Sequence, residues 1–193
     1  DECVIYAAID SEKSYCNLIA VIDDNGSDKP QWRDHRCTFA PKLAVEWSRW
    51  VNANRKGMPQ TEFGTFLEEN LPDIATVPGM PSGADILQMA LAFDATSNKR
   101  FRSKTNLQSG GYSIEFVDEE NNDTRETMKV FERFTIGIPV FDGSTNAYPI
   151  EARLKYREAG GKLNFWYELI RQDRVFKTAV ADELTAIKEN TGF

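Results

Sequence analysis

The stretch DHRCTFAP, residues 34–41, contains the only histidine of the chain and one of its three cysteines. Side chains two positions apart on a β-strand point the same way, so His35 and Cys37 would share one face of a strand there. A thiolate nucleophile needs the imidazole within hydrogen-bond reach, yet such neighbours lie roughly 6.5–7 Å apart along a strand. We therefore predict that this stretch is a strand running into a helix, without a catalytic pair.

The cysteines do not form a disulfide or zinc-binding pattern, because the sequence contains no CxxC pair. If the chain turns at residues 10–13 between its first two strands, Cys16 falls opposite Ala7. Cys3 then falls opposite Ala20, so the two thiols are roughly 13 Å apart, which is too far for a disulfide. We expect free thiols, as in a reducing cytoplasm, and no zinc site.

Acidic residues are the other groups that could do chemistry, as metal ligands or as an acid–base pair. Glu62 and Glu69 share a face of a predicted helix, but a solvated helix face predicts the same letters. The acidic runs 23–28 and 118–123 resemble calcium loops in composition only. The second run lacks the central glycine and places Lys129 where a bidentate glutamate should be.

Nucleotide-binding and hydrolase motifs are also missing from the sequence, which contains no glycine-rich phosphate loop, GxSxG or HExxH. We predict a protein that is not an enzyme and that uses neither a metal nor a cofactor. A mechanism built on carboxylates alone leaves little signature in one sequence, so an enzyme of that kind is the remaining alternative.

Two short rows of basic side chains form the most distinctive feature, and the second row lies near a tryptophan. The residues are Arg100, Arg102, Lys104, Arg153, Lys155, Arg157 and Trp166. If the two strands are neighbours, the rows form a positive groove suited to a single strand of nucleic acid or to an acidic partner. The alternative is that they are ordinary outward faces, partly neutralised by Glu115, Glu151 and Glu168.

The overall charge disfavours nucleic acid as a partner. The net charge is −7 and the isoelectric point about 4.9, whereas neutralising phosphates needs clustered lysine and arginine. No apolar run approaches the roughly 20 residues that span a bilayer, so no membrane partner is expected. No signal peptide is recognisable, but the chain opens at Asp1 without a methionine, and we expect an upstream segment that this sequence lacks.

The order of the predicted elements is typical of an α+β protein. We predict a single domain over residues 1–193, in which an antiparallel sheet of about seven or eight strands packs against three or four amphipathic helices. Its segments are an N-terminal β-meander over 1–40, a helical segment over 41–95, a β-rich segment over 99–170 and a C-terminal helix over 173–190.

Local patterns refine three of these elements. Pro41 suits the first turn of a helix in which Trp47 and Trp50 belong to one apolar stripe. Ser82 and Asp85 resemble a capping box at the start of another helix. The run MKVFERFTIGIPVF is predicted to be one strand.

The clearest strand extends from Tyr148 to Arg157 and precedes the apolar run KLNFWYELI. If the two strands pair around the loop EAGG, the pairs on the buried side are Tyr156 with Leu163, Leu154 with Phe165 and Ile150 with Leu169. On the other side Arg153 then lies beside Trp166, where a cation–π contact can form.

Three segments resemble a known family: HRCTFAPKLAVEWSRWV, MPQTEFGTFLEENLPDI and FTIGIPVFDGSTNAYPIEARLKYREAGGKLNFWYEL. Over about residues 32–188, and most specifically in the last segment, the chain is similar to the YfdQ-like family of uncharacterised proteins from tailed phages and prophages. The resemblance implies a phage or prophage gene product in the cytoplasm of a Gram-negative bacterial host. It implies no catalytic residues.

Two hypotheses of function follow from these observations. The first is a non-enzymatic phage accessory or structural protein that self-assembles into a homo-oligomer through the exposed side of the last hairpin, around Trp166. The alternative is a nucleic-acid-associated module of phage DNA metabolism or counter-defence, which would use the basic rows.

Overall fold

The computed structural model describes the backbone of residues 3–24, 32–92, 99–104, 111–118, 126–159 and 162–191, and the side chains of residues 3–24, 32–91, 131–157 and 163–191. In chain order its elements are β1 (Val4–Asp10), β2 (Tyr15–Val21), β3 (Arg36–Phe39), α1 (Val45–Ala53), β4 (Met58–Pro59), α2 (Gln60–Glu69), α3 (Gly83–Ala92), β5 (Lys99–Lys104), β6 (Gly111–Asp118), β7 (Glu126–Phe131), β8 (Arg133–Ile138), β9 (Tyr148–Ala159), β10 (Lys162–Leu169) and α4 (Gln172–Thr191). The predicted α+β class is confirmed. Within the described residues, no helix is long and apolar enough to cross a membrane.

The chain divides into two compact units. The first unit consists of residues 1–48, 139–148 and 171–193, and the second of residues 49–138 and 149–170. The units combine segments that are distant in sequence, so that each needs long-range pairing to form its core. The prediction of a single domain over the whole chain stays a prediction.

The first unit contains an antiparallel sheet with the strand order β1-β2-β3. Cys16 pairs with Ile9, and not with Ala7 as predicted, because the turn lies one residue later, at residues 11–14. The Asp10 carboxylate accepts hydrogen bonds from two backbone N–H groups of this turn, at 3.2 and 3.1 Å, and Ser14 adopts a φ of 52°. These local bonds fix the turn and therefore the pairing of β1 with β2, which differs by two residues from the predicted register. All three cysteines are free.

The chain passes from a strand within residues 34–41 into a helix, as predicted, but an extended segment separates the two elements. β3 begins at Arg36, so His35 lies just before the strand. The helix α1 begins at Val45 and not at Pro41 as predicted. The intervening segment is extended, because Leu43 forms a β-bridge with Phe141 and the backbone around it donates and accepts bonds of 2.8 and 2.9 Å.

Aromatic side chains form the core of the first unit. Trp47 and Phe176 are fully buried, with ring centroids 6.0 Å apart, and Phe141 lies 5.6 Å from Phe176. The Trp47 Nε1–H donates a hydrogen bond to Ser14 Oγ at 3.1 Å, which satisfies the only polar atom of the indole. Helix α4 buries Phe176, Ala179 and Val180 as predicted, whereas Leu184 and Ile187 are only partly covered.

The second unit contains an antiparallel sheet with the strand order β4-β10-β9-β8, over which α2 and α3 supply further apolar residues. In the β9–β10 hairpin, Tyr156 pairs with Phe165 and Leu154 with Tyr167. The predicted register was therefore wrong by two residues, because β9 extends to Ala159 and leaves a connection of two residues instead of four. A shift of two keeps every side chain on its predicted face.

An aromatic cluster fills the core of this second unit. Trp50 is fully buried, and its ring centroid lies 5.0 Å from Phe66, 5.1 Å from Tyr167 and 6.1 Å from Phe134. Phe63 stacks on Phe165 at 5.3 Å. Burial raises the pKa of Tyr167 well above its ordinary value, and its hydroxyl donates to the carbonyl oxygen of Trp50 at 2.7 Å.

The run MKVFERFTIGIPVF is not the single strand that its pattern predicts. It forms β7 and β8, which belong to different sheets and are separated by a bend at Glu132. β7 pairs with β6 in a third sheet of order β5-β6-β7, whereas β8 joins β9. A chain passes from one sheet to another through a bend or bulge, and the bend at Glu132 does this here.

The capping box predicted for α3 is confirmed. The Asp85 carboxylate accepts hydrogen bonds from the backbone N–H and the hydroxyl of Ser82, at 2.9 and 2.6 Å, while the Asp85 backbone N–H donates to Ser82 Oγ at 3.2 Å. These bonds satisfy backbone donors that the first helical turn leaves without partners.

Replacing Ser82 with alanine should lower the free energy of unfolding by about 1 kcal/mol, because the helix loses its cap. Urea unfolding followed by circular dichroism measures the change. The control is Thr65→Ala, which removes an exposed hydroxyl bonded to the carbonyl oxygen of Thr61 within α2. Equal stability of the two variants would contradict a stabilising cap.

Candidate functional site

The outward side of the β4-β10-β9-β8 sheet contains four of the predicted contact residues. Arg153, Lys155 and Arg157 are exposed on β9, and Trp166 is half-buried on β10. Arg133 is exposed on β8 and joins this side, since its neighbour Phe134 points into the core. We call these five residues the basic face. Alternation along the strands, which the sequence predicted for β9 and β10, places them there.

The pairing of β9 with β10 determines which side chains are neighbours on the basic face. Lys155 lies opposite Trp166, and Arg157 lies opposite Asn164. Arg153 lies opposite Glu168, so the predicted placement of Arg153 directly beside Trp166 was wrong. The shorter hairpin connection explains the change, because it moves each residue of β10 by two positions along β9.

Positive charge outweighs negative charge on this side of the sheet. Arg133 forms an ion pair with Glu151 at 2.6 Å, and Glu168 faces Arg153. Lys155 and Arg157 face uncharged partners, a tryptophan and an asparagine. A pair of cations beside a partly exposed indole can contact phosphates while the ring stacks on a base. The same groups can bind an acidic segment of a protein.

The other predicted basic row lies on β5, in a different sheet. Arg102 pairs in register with Glu115 on β6, and Arg100 with Val117. Since β5 belongs to the β5-β6-β7 sheet, it is not a neighbour of β9, and the predicted groove between adjacent strands is not formed. The side chains of Arg100, Arg102 and Lys104 lie outside the residues whose side chains are described.

His35 is directed toward a carboxylate and not toward the Cys37 thiol. Its Nδ1 lies 3.3 Å from the Asp23 carboxylate, which also accepts the backbone N–H groups of Asp34 and His35 at 3.0 and 2.9 Å. Burial works to raise the pKa of Asp23, but the hydrogen bonds from His35 and Asp34 outweigh it and hold this pKa below its ordinary value. The arrangement anchors the residues before β3.

The sequence patterns did not predict a second polar cluster, which consists of Tyr6, Asp24 and Arg33. Tyr6 donates a hydrogen bond to the buried Asp24 carboxylate at 2.5 Å, and the Arg33 guanidinium pairs with the same carboxylate and lies 5.9 Å from the Tyr6 ring centroid. The hydrogen bond to Asp24 raises the pKa of Tyr6. Because every group has a partner in the cluster, we interpret it as a structural clamp onto β1.

An open cleft of about 370 Å³ lies in the first unit. Its lining residues are Phe39, Ala40, Pro41, Lys42, Phe141, Asp142, Gly143, Ser144 and Glu183.

The Cys16 thiol lies outside this lining. Burial and then the nearby Glu183 charge raise the pKa of the Cys16 thiol, which favours its unreactive protonated form. Among the residues that are described, no group of three or more histidine, cysteine, aspartate and glutamate side chains is placed to hold a metal ion.

Tyr148 should titrate far into the alkaline range. Its hydroxyl donates to Asp182 at 2.8 Å, and burial, followed by this hydrogen bond, raises its pKa from 10.0 to about 12. A raised pKa means that the folded state binds the proton more tightly. The stability that this gives is present below pH 10.0 and is lost as the pH rises toward about 12.

The measurement is the phenolate absorbance of the protein and of Tyr148→Phe during an alkaline titration. The difference between the two curves should show one late-titrating tyrosine, and the variant should lose less stability across this range. Difference absorbance that develops at the ordinary tyrosine pKa would contradict the burial of Tyr148 together with its hydrogen bond to Asp182.

Comparison with known proteins identifies a family without a described activity. The model of the family described as "Uncharacterized conserved protein (DUF2303)" matches residues 1–193. No curated protein and no solved structure matches the chain.

Proposed function

We propose a function for this chain, which belongs to the DUF2303 family of uncharacterised conserved proteins. The proposed function is that of a non-enzymatic accessory or structural protein that self-assembles into a homo-oligomer. The main support is the distribution of exposed apolar side chains. Among the described residues, seven of the ten large exposed hydrophobic side chains belong to residues 4–39: Val4, Tyr6, Ile9, Tyr15, Ile22, Trp32 and Phe39. Concentrated apolar exposure is typical of a surface that binds another protein.

This distribution favours the N-terminal sheet as the contact surface, instead of the side of the last hairpin. The sequence favoured the side of the last hairpin around Trp166, but charged residues surround that indole. Interfaces are depleted of charged residues at their centres and enriched in aromatic ones. The N-terminal sheet fits this description better, since its exposed side chains include two tyrosines and a phenylalanine.

A non-enzymatic role is supported by the sequence, which contains no glycine-rich phosphate loop, GxSxG or HExxH. The Cys16 thiol is also buried with a raised pKa, which favours its unreactive protonated form. The resemblance of three sequence segments to the YfdQ-like family supports a phage or prophage origin. On that origin, the cytoplasm of the bacterial host is the proposed location.

Solution mass tests the self-assembly. Light scattering after nuclease treatment should give a multiple of 21.9 kDa, with an absorbance ratio typical of protein alone. A mass equal to one chain at all accessible concentrations would contradict the proposal. A large particle that nuclease dissolves would favour the second candidate function.

The second candidate is a nucleic-acid-associated module of phage DNA metabolism or counter-defence. The observation that favours it is the basic face, in which Lys155 and Arg157 have uncharged cross-strand partners and Lys155 adjoins Trp166. Cations beside an aromatic ring are typical of surfaces that bind single strands without sequence preference. We place it second because the chain as a whole is acidic.

A further inference from the structure

We propose that two copies of this chain associate by pairing their β1 strands edge to edge, antiparallel, about a two-fold axis at Ala7. The inference rests on the proposed self-assembly and names the surface that performs it. The two three-stranded sheets would then join into one sheet with the order β3-β2-β1-β1-β2-β3. Edge-to-edge strand addition supplies main-chain hydrogen bonds in addition to apolar contacts.

β1 lacks the features by which proteins block sheet edges. Such features are charged side chains, proline and very short strands. β3, the other edge of the same sheet, has four residues and contains Arg36. In the second unit, the edge strand β4 has two residues and includes Pro59, and the edge strand β8 begins with Arg133. β1 has seven residues and contains neither proline nor a charge before Asp10.

The side chains of β1 are exposed on both of its faces. Val4 and Tyr6 on one face are 41% and 43% exposed, and Ile9 on the other is 43% exposed. Ala7 and Ala8 are exposed as well. Burial of these side chains against a second copy would remove apolar surface from water on both sides of the sheet.

The charge distribution selects a second copy, in antiparallel orientation, as the occupant of this edge. The protein has a net charge of −7, yet residues 3–9 are uncharged, and the Arg33 cation beside Tyr6 is paired with Asp24, so two copies can approach there with little repulsion between like charges. Asp10, at the end of the strand, is paired with Lys13 at 3.3 Å. Antiparallel pairing also places the two Asp10 carboxylates at opposite ends of the interface, where they do not repel each other strongly.

Symmetry restricts the register. Directly opposite residues of an antiparallel pair point to the same face, so a two-fold axis between identical strands must pass through a residue position. An axis at Ala7 places Tyr6 opposite Ala8 and Ile5 opposite Ile9. An axis at Tyr6 or at Ala8 would pair only five residues of β1 with each other, whereas an axis at Ala7, the middle of the strand, pairs all seven. The Ala7 register also places a large ring opposite a small side chain.

Charge exchange at Ala7 tests the axis. Ala7→Lys and Ala7→Glu each place two like charges opposite each other in the symmetric pair, and each should weaken self-association by about a hundredfold or more. An equimolar mixture of the two variants should associate again, because lysine then faces glutamate. Sedimentation of each variant and of the mixture measures this. The matched control is the same exchange at Thr38, an exposed residue on β3, which should leave self-association intact.

Disulfide trapping is a second test that does not depend on added charge. Opposite residues at the axis have Cα atoms about 4.5–5.5 Å apart, which is within the range that a disulfide can bridge. Ala7→Cys, in a background with Cys3→Ser and Cys37→Ser, should give a covalent dimer on oxidation with diamide, which takes up the two thiol hydrogens. Thr38→Cys in the same background should not.

The outcomes separate this inference from the proposed function. If the unaltered protein is monomeric, both the self-assembly and the β1 pairing are wrong. If it is oligomeric but the Ala7 variants associate as the unaltered protein does and Ala7→Cys does not cross-link, only the β1 pairing is wrong. Restored association in the mixture, together with the cross-link, supports both.

Discussion

Replacing Trp50 with alanine should lower the free energy of unfolding by about 3–5 kcal/mol. The indole is fully buried and contacts Phe66, Phe134 and Tyr167, with ring centroids between 5.0 and 6.1 Å apart. Its Nε1–H also donates to Asp73 at 2.7 Å. Alanine removes these aromatic contacts, leaves a cavity in the core of the second unit and deprives Asp73 of a hydrogen-bond donor.

Trp166→Ala is the matched control, since the same side chain is removed from a half-buried position on the opposite side of the same sheet. It should cost much less stability than Trp50→Ala, because fewer contacts are lost and water can occupy the space. Chemical denaturation of both variants gives the two values. Equal losses would contradict the assignment of Trp50 to the core and Trp166 to the surface.

Burial of this kind was predictable from the sequence because periodicity depends only on local geometry. Trp47 and Trp50 recur at helical spacing, and both are fully buried. The capping box of Ser82 and Asp85 was also predictable, since its hydrogen bonds join residues three positions apart. On β9, alternation correctly separated buried residues such as Leu154 from exposed ones.

Register was not predictable to the same degree, because it depends on the length of each turn. In both hairpins the predicted register was wrong by two residues, since the first turn lies one residue later and the last connection is two residues shorter than expected. A shift of two preserves the faces, so Ile150, Ala152 and Leu154 are buried as predicted, whereas Tyr156, also predicted on the buried side, is 38% exposed. The shift changes cross-strand partners, however, and this is why Lys155 and not Arg153 lies opposite Trp166.

Local sequence patterns did not predict which residues and strands that are distant in the sequence lie next to each other. Nothing near Tyr6 in the sequence indicates that its hydroxyl meets Asp24, or that Arg33 pairs with the same carboxylate. The sequence likewise did not predict that β5 and β9 belong to different sheets, because the residue pattern of one strand does not indicate which strand pairs with it. The basic rows were recognised as exposed strands, but the groove between them required a pairing that the fold does not make.

Reversing two charges on the basic face should weaken binding to a single-stranded oligonucleotide by about tenfold or more, if the protein binds nucleic acid. Lys155→Glu with Arg157→Glu removes the two cations that face uncharged partners on β10. Each phosphate contact on a single strand contributes about 0.7 to the slope of log affinity against log salt. The double variant should therefore reduce this slope by about 1.4. Fluorescence anisotropy across a salt series measures both quantities.

The control is Arg174→Glu with Lys177→Glu, which makes the same change in net charge at exposed positions of α4. If both double variants weaken binding equally, the attraction depends on total charge, and the basic face is not the binding site. If only the β9 variant weakens binding, the position of the cations beside Trp166 matters and not their number. Because β1 and the basic face belong to different sheets, the β9 variant should leave self-association intact, so that the two candidate functions can be tested independently in one protein.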